Sequence, residues 1–167
     1  MQKKLFFSRK NYIVLVFFEK MNILALDYGH RRIGIAYADS DIAVAVPVKA
    51  AVQQTEQERV NFIIEEIKLR RIQKIVVGYP LNMDGTVSDK AREVDAFIEK
   101  YLLPLILEIV RVDERLSSYQ AEQDIANFSR KKVKSVAARK KNRKTGEVDS
   151  RAASIFLQEY LDSGMSL

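Results

Sequence analysis

The sequence predicts an α/β fold: a mixed five-stranded sheet of three antiparallel strands followed by two parallel ones, flanked by helices. Three observations lead there. Two short apolar runs are joined by a tight polar turn, which is the pattern of a hairpin. Later β-branched runs alternate with helical patterns, which implies parallel pairing. A chain of 167 residues, 47% hydrophobic and 30% charged, is long enough for one core and too short for two.

The hairpin comes first. Residues 22–27 read as a buried strand ending at Asp27, followed by the turn Tyr28, Gly29, His30, Arg31, Arg32 and a second strand over residues 33–38. Residues 42–48 are β-branched and contain Pro47, which favours an edge strand or a strand end. Residues 56–70 place Val60, Ile63, Ile64 and Ile67 on one helical face. A compact β-branched strand over 74–78 leads into a loop through Thr86, where functional groups often gather. A helix over 88–101 has Ser88 as its N-cap and Val94, Phe97, Ile98 and Tyr101 on its apolar side. Pro104 separates it from a strand over 105–112, and Ser117 or Ser118 caps a helix reaching about residue 127. A final helix spans 149–161.

The first twenty residues stand apart. They hold Lys3, Lys4, Arg9, Lys10 and Lys20 against Glu19 alone, so much of the net charge of +6 lies there. Their apolar run, residues 13–18, is too short for a signal peptide or a membrane span and lacks a small-residue cleavage pattern. The segment reads as a dispensable or disordered extension, or as sequence upstream of a true start at Met21, with a single domain over 21–167. Membrane-surface anchoring is the competing reading, and the expected location is the cytoplasm.

Composition also limits the chemistry. The chain has no cysteine and one histidine, His30. Disulfides, thiolate zinc sites and Ser-His or Cys-His nucleophile pairs therefore have almost nothing to work with, and carboxylates must do any catalysis. Asp27 ends a buried strand at a sharp turn, where it could serve the turn or face a ligand. Asp113 and Glu114 end another strand pointing to opposite faces, and spacing alone does not choose between them. Asp149 shares a helical side with Ala153, Phe156 and Tyr160 and so faces the sheet. Carboxylates gathered at one sheet edge repel one another unless cations neutralise them. Oxygen ligands suit Mg²⁺ or Mn²⁺, and two such ions about 3.5 to 4 Å apart can activate water against a phosphodiester. Residues 130–144 carry nine Lys or Arg and no acid, beside Asp149 in sequence. That segment reads as a phosphate-holding loop, or as a solvated one that orders on binding.

Four motifs in order carry a resemblance: Leu26-Asp27-Tyr28-Gly29 with Arg31 and Ile33-Gly34; Val77 through Thr86, including Pro80-Leu81-Asn82-Met83-Asp84-Gly85-Thr86; Asp113-Glu114-Arg115-Leu116-Ser117-Ser118; and Val148-Asp149-Ser150 with Ala152 and Ala153. Together they resemble the YqgF family over residues 21 to about 162. That family is ribonuclease H-like. It was described first as Holliday-junction resolvases and later as nucleases that process the 5′ end of pre-16S ribosomal RNA. The resemblance implies Asp27, Glu114 and Asp149 as the catalytic and metal-binding triad, choosing Glu114 over Asp113. The residues expected to hold substrate are Arg31 and Arg115 beside the triad, with Lys140, Lys141, Arg143 and Lys144 of the basic segment. Asn82, Asp84 and Thr86 either touch substrate or close the loop. Arg31 stands where the family commonly has lysine, which keeps the charge and changes its geometry.

The implied partner is RNA, the pre-ribosomal particle, acted on by a monomer or homodimer. Competing readings are a dimeric resolvase of branched DNA, an RNA-binding assembly factor with a vestigial acidic centre, and a phosphate loop of an actin-like ATPase. The chain is too short for the two lobes of the last.

Overall fold

The computed structural model describes residues 2–7, 13–18, 21–113 and 146–163. Strands β1 (Gln2–Phe7) and β2 (Ile13–Phe18) pair antiparallel with each other, with Leu5 opposite Leu15, and form a separate two-stranded sheet. The main sheet contains β3 (Asn22–Tyr28), β4 (Ile33–Asp39), β5 (Val46–Pro47), β6 (Lys74–Tyr79) and β7 (Glu108–Asp113), in the order β5-β4-β3-β6-β7. β3 pairs antiparallel with β4, and β4 with β5, whereas β6 runs parallel to both β3 and β7. This is the predicted sheet.

Several boundaries differ from expectation. The third strand shrinks from residues 42–48 to the pair Val46–Pro47, because the chain turns at Asp39. The Ala43 N–H donates to the Asp39 carbonyl at 2.8 Å, and Ala43 takes φ 53°. The helix α2 (Asp89–Phe97), capped by Ser88 as expected, stops short of residue 101. It loosens into a π-turn, Ile98–Leu102, and then a 3₁₀ turn, Leu103–Leu105. Pro104 cannot donate to an α-helical ladder, so the chain leaves that ladder here. β7 consequently begins at Glu108, three residues later than the pattern suggested. The last helix, α3 (Glu147–Asp162), begins two residues earlier, with Gly146 as its N-cap at φ 69°.

Helix α1 (Glu56–Arg70) matches its predicted span. Thr55 and Glu58 form a capping box, each side chain accepting the other's backbone N–H.

The sheet separates two cores. Leu24, Leu26, Tyr28, Ile75 and Val77 pack with Val60 and Ile63 of α1 and Val94 and Phe97 of α2. On the opposite face Ile23, Ala25, Ala36, Ala38 and Val76 pack with Ala153, Phe156, Leu157 and Tyr160 of α3. The two-residue alternation of each strand makes this division, and it also decides which side each strand-end carboxylate faces.

Candidate active site

Asp27 follows Ile23 and Ala25 in phase on β3, and therefore lies on the α3 face of the sheet. It is half-buried and sits opposite Gly34 of β4. Gly34 carries the start of α3. A Cβ there would lie 2.9 Å from the Ser150 nitrogen and closer still to the Asp149 carbonyl group. Only a residue without a side chain lets the helix backbone come down on the strand at this point. Ser150 completes the junction: its buried Oγ accepts the Ile35 N–H at 3.2 Å. Gly34 and Ser150 thus bring Asp149, in the first turn of α3, to the same edge and face as Asp27.

Asp149 is partly buried, and its Oδ2 accepts from the Arg32 Nε at 2.7 Å. The first turn of a helix also favours its negative charge. Its predicted companions Ala153, Phe156 and Tyr160 are buried as expected, while Asp149 stays at the rim of that face.

The turn between Asp27 and Arg32 is fixed by both helices of the other face. The buried Arg59 of α1 donates to the His30 carbonyl at 2.7 Å and to the carbonyls of Gln53 and Gln54 at 2.8 and 3.2 Å. His30 Nε2 lies 3.0 Å from Glu93 of α2, and the Tyr28 ring packs 4.6 Å from Phe97. Burial raises the Tyr28 pKa, and the charges of Glu56 and Glu93 add to the effect.

The expected site residues fall into three groups. Asp27 and Asp149 come together at one edge of the sheet. Asn82, Asp84 and Thr86 come together with one another: Asn82 Nδ2 donates to Thr86 Oγ1 at 2.9 Å, and the Thr86 N–H and hydroxyl donate to Asp84 Oδ1 at 2.9 and 2.7 Å. Arg31 is exposed on the Asp27 turn. Glu114, Arg115, Lys140, Lys141, Arg143 and Lys144 lie outside the described residues, as do the helix expected to follow residue 117 and the basic segment 130–144. Among the described residues, no three acidic or histidine side chains form a metal-binding group.

Sequence reasoning overlooked Arg32, Arg59 and Ser150. Arg59 reads as an outward charge on an amphipathic helix, and only the turn packed above it makes it a buried donor. Arg32 had a signal, since it neighbours Arg31 in the same turn, but the choice between adjacent arginines depends on the position of α3.

A family model described as "RuvX: Holliday junction resolvase" matches residues 21–163. The chain belongs to this family. It is the YqgF family that the four motifs resemble. Among the relatives, an Opitutus terrae protein named "Putative pre-16S rRNA nuclease" is 40% identical over 143 residues, covering 85% of this chain and 92% of its own. An Anaeromyxobacter protein of the same name is 37% identical over 142 residues, covering 85% and 97%. The RuvX chain is also similar in fold to fowlpox virus resolvase bound to Holliday junction DNA, with TM-score 0.52 and 12% identity, covering 87% of this chain and all of that one. Thermus thermophilus RuvC with a Holliday junction substrate gives TM-score 0.50 at 15% identity, covering 87% and 96%. These likenesses establish the ribonuclease H-like fold. The family match begins at Met21, so β1 and β2 lie outside it.

Proposed function

We propose that this RuvX protein is a metal-dependent nuclease that hydrolyses RNA phosphodiesters in 5′-end maturation of pre-16S ribosomal RNA, acting in the cytoplasm. The observation that carries this reading is the placement of Asp27 and Asp149 on one face at one sheet edge, through the close approach of α3 to Gly34. The names of the relatives supply the substrate.

The family motif supports Glu114 as the third carboxylate, and the phase of β7 argues against its neighbour Asp113. Val110 and Val112 pack on the α3 face, whereas Arg111 reaches Asp95 of α2 on the other. Asp113 is in phase with Arg111, which puts it on the face away from Asp27 and Asp149.

The donor set fits hard divalent ions. Asp27 and Asp149 offer carboxylate oxygens, cysteine is absent, and the one histidine is engaged with Glu93. We propose Asp27, Glu114 and Asp149 as ligands of Mg²⁺ or Mn²⁺, two ions in all. Bound there, such ions supply activation of water and stabilisation of the leaving oxygen. The chain's own residues orient the site. Arg32 holds Asp149 in place, Arg59 holds the turn after Asp27, and Arg31, Arg115, Lys140, Lys141, Arg143 and Lys144 provide cations for the phosphate backbone. The mutual hydrogen bonds of Asn82, Asp84 and Thr86 support a loop-shaping role for them.

A second reading, cleavage of branched DNA by a dimer, is favoured by the family description and by the two resolvase folds. The deciding experiment is cleavage of labelled precursor 16S RNA and of a DNA four-way junction, with Mg²⁺, Mn²⁺ or EDTA, by wild type and Asp27→Asn. Metal-dependent RNA cleavage lost in the variant supports the proposal. Junction-only cleavage by a dimer selects the resolvase reading. Tight RNA binding without cleavage selects an assembly factor. For the first twenty residues we propose a dispensable extension: a version beginning at Met21 is expected to keep activity and soluble behaviour, and membrane association of the full chain alone would show an anchor instead. No described helix is long and apolar enough to cross a membrane.

A further inference from the structure

We propose that Met83 is a nucleobase wedge, a side chain that enters the stack of the nucleic-acid substrate at a duplex boundary beside the cleavage site. The inference rests on the nuclease reading and adds a binding element to it. Met83 is 90% exposed. A single exposed apolar side chain is ordinary on a protein surface. This one sits at the tip of a braced loop.

The Asn82 N–H donates to the Thr86 carbonyl at 2.9 Å and the Gly85 N–H to the Asn82 carbonyl at 2.8 Å. Leu81 and Val87 pair at the base of the loop, and the Ser88 hydroxyl donates to the Pro80 carbonyl. Gly85 takes φ 86°, which a side-chain-bearing residue rarely adopts. The polar side chains of Asn82, Asp84 and Thr86 bond to one another in closing the turn, and Met83 between them is exposed to solvent. A rigid mount is what a wedge requires, because ordering a loose loop on binding would offset the gain from contact.

Position points the same way. β3 and β6 are parallel and in register, Leu26 beside Val77, so Asp27 and the loop after Tyr79 leave the same edge of the sheet. An unbranched thioether is polarizable and adaptable, and apolar side chains including Met can enter base steps and unstack them. The occupant is therefore a base at a junction between duplex and single strand, where unstacking is least costly.

The test uses a short RNA hairpin with a single-stranded 5′ flank and 2-aminopurine at the boundary, bound by Asp27→Asn protein with Mg²⁺ so that cleavage does not intervene. Binding is expected to raise the 2-aminopurine fluorescence severalfold. Adding Met83→Ala is expected to abolish the rise and weaken binding about five- to thirtyfold, with the salt dependence unchanged, while Met83→Leu retains both. A rise that survives Met83→Ala, or no rise when the RNA is bound and wild type cleaves it, overturns the wedge and leaves the nuclease reading intact. Neither binding nor cleavage of RNA by wild type overturns both.

Discussion

Replacing Gly34 with alanine adds one methyl group at the contact between β4 and α3. The new Cβ would lie 2.9 Å from the Ser150 nitrogen and nearer to the Asp149 carbonyl, and these are backbone atoms that no rotamer change can move away. Ordinary contact is about 3.5 Å, so the start of α3 must retreat by roughly 1 Å. Overpacking of this kind costs about 1 to 3 kcal/mol, partly offset by the lower chain entropy of alanine in the unfolded state. For a chain of this size that is a fall of roughly 3 to 10 °C in melting temperature. Catalysis should suffer more than stability. Asp149 moves with the backbone that is displaced, while Asp27 stays on the central strand, and a misplacement of about 1 Å can cost on the order of 100-fold in rate. Metal-dependent RNA cleavage by the folded variant, measured beside its thermal melt, checks both numbers. A Gly34→Ala variant that cleaves and melts like wild type would show that this glycine does not set the Asp27–Asp149 geometry.

Three further outcomes follow from neighbouring contacts. Ser150→Ala leaves the Ile35 N–H without its acceptor and is expected to lower stability by about 1 to 2 kcal/mol in a urea melt, with Ser150→Thr retaining the bond if its methyl group is accommodated. Arg32→Ala removes a partly exposed ion pair, so its melting temperature should change little, by less than about 1 kcal/mol of stability, while cleavage falls at least about tenfold because Asp149 loses its orienting partner. Equal losses of stability and activity would argue against that role. For Lys74, burial pulls the pKa down, but hydrogen bonds to Glu108 at 3.1 Å and Tyr160 at 3.3 Å outweigh it, and the net shift is upward. A raised lysine pKa stabilises the fold below the unfolded value, about 10.5, and that contribution fades as pH rises through the folded value. Tyr28, raised chiefly by burial, and Tyr79, raised chiefly by its hydrogen bond to Asp95, lose stability in the same alkaline window. Wild type should therefore destabilise above about pH 10, and Lys74→Met should do so less steeply; parallel slopes in pH-dependent melts would remove Lys74 from the explanation.

Local pattern determined a large part of this protein. Periodicity alone marked α1 at its observed ends, because Val60, Ile63 and their neighbours have one face to bury and the segment is free of proline and glycine. Period-two alternation and the short turn at Gly29 marked the β3–β4 hairpin, and the alternating elements implied the parallel strands. The motifs singled out Asp27 and Asp149, since strand ends and helix starts are where a backbone presents a carboxylate. Tertiary structure decided what local rules do not encode. The β-branched residues after Ile42 suit a strand, yet the Asp39 turn leaves only Val46 and Pro47 paired along the edge. Arg59 has the sequence signature of a solvent-facing charge, and becomes a buried donor only because the His30 turn closes over α1. Arg32 rather than Arg31 meets Asp149 because α3 lands on Gly34, a contact between residues more than a hundred positions apart. Hydrogen-bonding capacity and side-chain type are local properties, whereas the partner that satisfies them is chosen by packing, and at this sheet edge packing brought two distant carboxylates together.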